Sequence, residues 1–283
     1  MATVIVERID DGMLRTAGAS VNLAFRVQGE GPPVVLLHGT SASHAVWTSV
    51  AQGLPDAKVI TVDQRGHGLS DKPASGYTGA DFADDVITVL DALGIERAVV
   101  GGHSLGGRNA WLAAARHPDR VSAAVVVDYT PYVETAVIDE LEVRVAAGFR
   151  SFTGVAEIEQ YLRGRYRRIL PEAVERRARY GYRQAADGTW VPRADPEAMR
   201  QLIDGFRTPW DAEFRAVTVP MTHVRGSDSL IVSPAAWEAA KADRPHDRWV
   251  VVDDADHYIP EERPGLIAAE LDRVLGAQRV RQD

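Results

Sequence analysis

Residues Gly102-His103-Ser104-Leu105-Gly106 form a G-x-S-x-G pattern, preceded by the β-branched stretch ending at Val100 and followed by an alanine-rich one. The pattern predicts a strand that turns sharply into a helix starting near Leu105, with the serine side chain thrown clear of the backbone at the apex. Glycines at 102 and 106 let the flanking segments approach without Cβ collisions, while the apex residue takes a strained conformation. The chemistry this offers is nucleophilic attack. A serine hydroxyl attacks poorly until a base takes its proton, and the base needs a carboxylate to fix its tautomer and stabilise its charged form. The chain must therefore supply a histidine and an Asp or Glu. It must also supply backbone N–H groups for the charge that builds on the attacked carbonyl oxygen. Leu105, next after the nucleophile and at a helix N-terminus, offers one of them. A phosphate loop is the competing reading of a glycine-rich turn, but the chain has neither G-x-x-x-x-G-K-[ST] nor G-x-G-x-x-G.

The elements that must hold these groups follow from apolar periodicity. Strand-like runs occur at TVIVER, VNLAFRV, Val34 to Leu37, 57–63, 97–102, 121–128, 217–226 and 248–254. Helix-like stretches at 81–94, 105–118, 233–243 and 263–276 separate most of the later ones. That alternation predicts a parallel sheet covered on both faces. It breaks between about Pro131 and Pro209, which reads as a helical insertion with aromatic residues and no buried strand. Within the insertion, 163–183 carries eight Arg against two Glu. Such a run is ordinarily a solvated face; the sharper alternative is a basic rim for an anionic substrate. The last residues, AQRVRQD, read as a frayed tail.

Composition narrows the classes of function. The 283 residues, 45% hydrophobic and 25% charged, suffice for one main domain with an insertion and a sizeable core. No apolar stretch approaches the roughly 20 residues of a spanning helix, and the N-terminus lacks the features of a secretory signal, so an intracellular, cytoplasmic location is expected. The absence of cysteine excludes disulfides, zinc–thiolate sites and a thiol nucleophile. A net charge of −8 argues against a nucleic-acid surface. The expected partner is a small-molecule substrate, with no nucleic acid and no membrane.

Three further stretches carry a family resemblance. HGTSASHAVW (38–47), DQRGHGLSDKPASGYT (63–78) and DADHYIPEERP (254–264), with the serine elbow between them, resemble the α/β-hydrolase fold superfamily, in its esterase, haloperoxidase and epoxide-hydrolase-like group. The resemblance covers nearly the whole chain. It implies a mostly parallel, eight-stranded twisted sheet with helices on both faces, a core domain of residues 1–131 and 210–283, and a helical cap at 132–209. It also implies the chain order serine, acid, histidine. On that order and on the match of GSDSLIVSP to the stretch holding the usual acid, the expected triad is Ser104, Asp228 and His257. Asp128, after the strand before the insertion, is the competing acid, as some members of this fold place it there; its ordinary reading is a turn residue. The resemblance makes Thr40 the second oxyanion donor, with Ser41 as the alternative. His38 and His67 fall in loops of structural use, His103 in the variable position of the elbow, and His117 at a helix end; His44, His223 and His246 match no motif.

The expected activity is hydrolysis of a small carboxylic ester through an acyl-enzyme on Ser104, with no metal or organic cofactor. Within the fold the alternatives are a lactonase or a carbon–carbon bond hydrolase, a cofactor-independent oxygenase or a biosynthetic cyclase. A non-catalytic small-molecule receptor is the alternative of another class. Serine at the elbow argues against the dehalogenases and epoxide hydrolases that use aspartate. Specificity is expected from aromatic residues of the insertion, with Tyr132, Phe149, Phe152, Tyr161, Phe206 and Trp210 as candidates for the pocket lining.

Overall fold

The computed structural model describes residues 5–9 and 12–279; residues 280–283 of the expected frayed tail, and residues 1–4, which begin the first strand-like run, lie outside the described residues. The strands are β1 (Ile5–Arg8), β2 (Leu14–Ala17), β3 (Ala24–Gln28), β4 (Pro33–Leu37), β5 (Lys58–Asp63), β6 (Ala98–His103), β7 (Val121–Val127), β8 (Tyr182–Gln184), β9 (Trp190–Pro192), β10 (Met221–Gly226) and β11 (Arg248–Val252). Nine of them form one sheet in the order β1-β2-β3-β5-β4-β6-β7-β10-β11. Pairing is antiparallel from β1 through β3 to β5 and parallel from β5 to β11.

The sheet has one strand more than the eight expected. The addition is β2, whose LRTA sequence carries no apolar run but returns the chain as an antiparallel neighbour of β1 and β3.

Helices α1 (Thr48–Gln52), α2 (Gly79–Ala92) and α3 (Leu105–Arg116) lie in the first half. The insertion between β7 and β10 holds α4 (Thr135–Ala146), α5 (Val155–Arg165), α6 (Pro171–Gly181), α7 (Pro196–Asp204) and α8 (Asp211–Ala216); α9 (Pro234–Asp243), α10 (Ile259–Glu262) and α11 (Pro264–Arg279) follow. The parallel strands are apolar on both faces because helices cover both. Val35 and Leu37 of β4 face a core with Phe82 of α2 and Trp111 of α3. Val34 and Leu36 face the opposite core with Val50 of α1 and Leu271 of α11.

The insertion departs from its expectation in one respect. It contains a two-stranded hairpin, β8–β9, with Tyr182 opposite Pro192. Its helices build their own small core, in which Phe152, Ile158, Leu162, Val174 and Tyr182 are buried together.

Candidate active site

The elbow forms where β6 meets α3. Ser104 has φ 55 and ψ −118, a left-handed conformation that costs a non-glycine residue energy and is held by its surroundings. Its N–H donates to Val127 O of the neighbouring strand at 2.9 Å. The glycines are required by close approach: a Cβ on Gly102 would lie 1.9 Å from Gly106 O, and one on Gly106 would lie 2.1 Å from Leu37 O. Outside the pattern, a Cβ on Gly101 would press into Leu36 at 2.8 Å.

His257 lies between β11 and α10, and its Nδ1 is 2.6 Å from Asp128 Oδ2. Asp128 is fully buried at the end of β7, with φ 52. It also accepts Gly226 N–H at 3.0 Å and the Ser229 hydroxyl. Asp228, the acid expected from the sequence, is elsewhere. Its side chain is 47% exposed and pairs with Arg168 at 2.8 Å. The physical reason is local. Asp228 N–H donates to Ala255 O, and the loop turns so that Ser229, the next residue, is the one aimed inward at Asp128. The GSDSLIV segment thus supports the acid without supplying it.

His103, read from the sequence only as a variable position, fixes the histidine. Its Nε2–H donates to His257 O at 2.8 Å, and the two rings lie 4.6 Å apart. A histidine beside the nucleophile was the available signal for this link. Burial first, then the charge of Arg144, holds His257 well below the ordinary imidazole range, as suits a base that must be neutral to accept a proton. Burial pushes Asp128 up, while the Ser229 and Gly226 donors pull it down.

The loop after β4 is held by a buried network. His38 Nδ1–H donates to Gly39 O at 2.7 Å, and its Nε2 accepts Gln64 N–H. Because the peptide is planar and trans, the Thr40 N–H points opposite to the Gly39 carbonyl. No described residue accepts that N–H. Ser41 N–H is already engaged, donating to His67 Nε2 at 3.1 Å, and His67 Nδ1–H donates to Arg65 O. The network therefore leaves Thr40 available as an oxyanion donor and removes Ser41. Leu105 N–H, in the first turn of α3, is one of the donors that a helix leaves without an internal partner.

A cavity separates this loop from the insertion. Ser41, Ala42 and Ser43 line one side, and Phe149, Tyr161, Arg165, Tyr166, Arg177 and Tyr182 are among the residues on the other. Ser104, 7% exposed, is not in its wall. Of the six aromatic candidates, Phe149 and Tyr161 line it; the other four do not. Phe152 is buried in the insertion's own core. Phe206 packs on Tyr129 and Arg108, Tyr132 hydrogen-bonds Asp243, and Trp210 donates to Gly205 O. Tyr166 and Tyr182 were missed because nothing in their spacing distinguishes them from core aromatics.

The basic run divides between the two readings offered for it. Arg165 and Arg177 face the cavity, whereas Arg163 and Arg168 form exposed ion pairs. Arg177 is buried against Glu261, with Nε 2.8 Å from Oε1. Arg165 donates to the hydroxyls of Tyr161 and Tyr166, and Arg144 donates to that of Tyr258. Among the described residues, neither Arg144 nor Arg165 has a carboxylate partner. No group of three or more His, Asp or Glu among them could hold a metal ion, and no helix is long and apolar enough to cross a membrane.

The strained serine, the buried histidine–aspartate pair and the parallel sheet agree with a sequence profile of the α/β-hydrolase fold, which matches residues 32–264. The chain belongs to the α/β-hydrolase family. This α/β-hydrolase is similar over 258 residues, at 41% identity, to the 2-(acetamidomethylene)succinate hydrolase of Mesorhizobium japonicum, covering 91% of this chain and 92% of that protein. A crystal structure of E-2-(acetamidomethylene)succinate hydrolase superposes with a TM-score of 0.89 at 39% identity, over 96% of this chain and 99% of the other. An esterase of Mycobacterium tuberculosis superposes with a TM-score of 0.75 at 26% identity, over 98% and 93%. The hydrolase expectation holds at the level of the family. Within it, the more similar relative favours the alternative outside ester cleavage over the carboxylic ester expected first.

Proposed function

We propose that this α/β-hydrolase cleaves a small dicarboxylate that bears an acylaminomethylene group, of the kind named for its relative from Mesorhizobium japonicum. The observation that carries this reading is the cavity between the loop after β4 and the insertion, where Arg165 lines the wall without a carboxylate partner and Arg144 lies close behind on α4. Guanidinium groups pair bidentately with carboxylates. An uncharged ester would leave these two cations without an anion. The insertion acts here as a cap over Ser104, and the tyrosine hydroxyls that Arg144 and Arg165 hold are the polar groups that orient the ligand.

The chemistry follows from the residues in place. Ser104 Oγ attacks the acyl carbonyl carbon while His257 takes the hydroxyl proton and Asp128 stabilises the imidazolium. Thr40 N–H and Leu105 N–H hold the oxyanion. The acyl carbon–nitrogen bond breaks, and His257 returns the proton to the leaving nitrogen. Water, deprotonated by His257, then releases the acid and restores Ser104. The departing group is an enamine conjugated to a carboxylate. A second water hydrolyses it through its imine tautomer, releasing ammonia and leaving an aldehyde placed as in a 3-oxo acid, so carbon–carbon cleavage by loss of carbon dioxide follows from the same first step. A hydrolase that broke a carbon–carbon bond directly would instead release no free acid from the acyl group.

Steady-state kinetics with E-2-(acetamidomethylene)succinate and 4-nitrophenyl acetate tests the reading. We expect kcat/KM for the dicarboxylate to exceed that for the ester at least about a hundredfold, equivalent to roughly 2.7 kcal/mol of selective stabilisation, with stoichiometric release of acetate. Faster turnover of the ester would overturn it.

A further inference from the structure

A second cavity, of about 460 Å³, opens beside the first and shares Phe149 and Pro192 with it. Its charged lining is Lys72, Arg150, Arg183 and Arg193 against the single carboxylate of Asp195. These residues come from four separate segments, the loop after β5, the loop after α4, β8 and the stretch after β9, so the fold gathers them. Asp195 is occupied in capping α7, accepting Ala198 N–H at 2.8 Å. Among the described residues, Lys72 Nζ donates to the carbonyls of Gly68 and Ser70 alone. Arg193 Nε donates to Tyr182 O, and Arg150 has a partner in Glu157 at 3.2 Å. Arg183 pairs with Val191 through the backbone of the β8–β9 ladder, but its exposed side chain forms no hydrogen bond or ion pair with any described residue.

Gathering like charges is unfavourable unless an anion joins them. Burial lowers Lys72 and Arg193; the charge of Asp63 opposes this at both, while Arg193 lowers Lys72 and Arg183 lowers Arg193, so the carboxylates present offset the crowding only in part. The molecule as a whole carries −8, so this excess of cations is local.

We propose that this second cavity is a cationic vestibule that captures the small dicarboxylate and passes it between Phe149 and Pro192 to the first cavity, where Arg165 and Arg177 lie. The proposal rests on the reading of the substrate as a dianion. A cleft of one sign raises the local concentration of an oppositely charged ligand and its rate of association, and salt weakens that effect.

The experiment compares labelling of Ser104 by two fluorophosphonates, a neutral alkyl one and one with a carboxylate tail, in wild type, Arg183→Glu and the double variant Arg150→Gln/Arg183→Glu. We expect the carboxylate probe to react about tenfold more slowly in the double variant, and wild type to lose a similar factor between roughly 0.05 and 0.5 M salt. The neutral probe should be indifferent to both changes. An unchanged ratio of the two rates would overturn the vestibule, whatever happens to turnover of the dicarboxylate. Turnover that is absent while the ratio falls would overturn only the substrate reading. If neither probe labels Ser104, thermal shift with succinate decides: a rise in Tm that Arg183→Glu abolishes supports the vestibule, and an equal rise in both proteins overturns it.

Discussion

At the scale of single residues, two aspartates end neighbouring parallel strands, and only the loop that follows each decides which reaches His257. Asp128 is buried and 2.6 Å from Nδ1, whereas Asp228 is at the surface with Arg168. Asp128→Asn would leave the imidazole in the wrong tautomer and its charged form uncompensated, so kcat should fall on the order of 10⁴-fold, the loss seen for the equivalent change in serine proteases. Asp228→Asn removes an exposed pair of small energetic value and should leave kcat within about twofold. Steady-state rates, with circular dichroism to check folding, measure both; near-equal rates would contradict the assignment. The elbow at Ser104, where a strand turns into a helix at Leu105, was legible because it depends on local pattern, the turn and its glycines. The acid was not. Its choice depends on how a loop at 226–229 packs on one at 254–257, and no spacing within either segment encodes that contact.

At the scale of elements, strands buried on both faces were legible from their apolar runs, and β2 was not, because an edge-side strand such as LRTA has only one half-buried face to mark it. The insertion was legible as helical but its role was not, since cavity aromatics and core aromatics have the same spacing. Its helix α4 also acts electrically on the core. Arg144 faces the Tyr258 hydroxyl, and after burial its charge is the next cause holding His257 down. A base with a lowered pKa stays neutral further into acid, so the acid limb of reactivity should lie below pH 6.5, the ordinary imidazole value. Removing the Arg144 charge makes the imidazolium less unfavourable and raises that pKa. Arg144→Gln should therefore move the acid limb to higher pH. The rate of inactivation by the neutral fluorophosphonate measures this without involving carboxylate binding; a limb that stayed in place, or moved to lower pH, would contradict it.

At the scale of the whole molecule, a sheet of nine strands carries Ser104, Asp128 and His257 beyond the ends of β6, β7 and β11, where an open α/β sheet leaves its crevice. The insertion contributes Arg165 and Arg177 to the cavity it forms with the loop after β4. The family was legible from three motifs in order, because those motifs lie in the core. The proposed substrate class was not legible, because it rests on side chains as distant as Ser41, Arg165 and Arg177 meeting around one space. In the proposed reaction Ser104 takes the acyl group of an acylaminomethylene dicarboxylate. The most direct measurement is rapid acid quench of the protein with E-2-(acetamidomethylene)succinate, followed by mass analysis of the peptide that holds Ser104. The expected result is one acetyl group on Ser104 at early times, absent in Ser104→Ala, which should also lose turnover. Consumption of the dicarboxylate with Ser104 unmodified, and retained by Ser104→Ala, would contradict it.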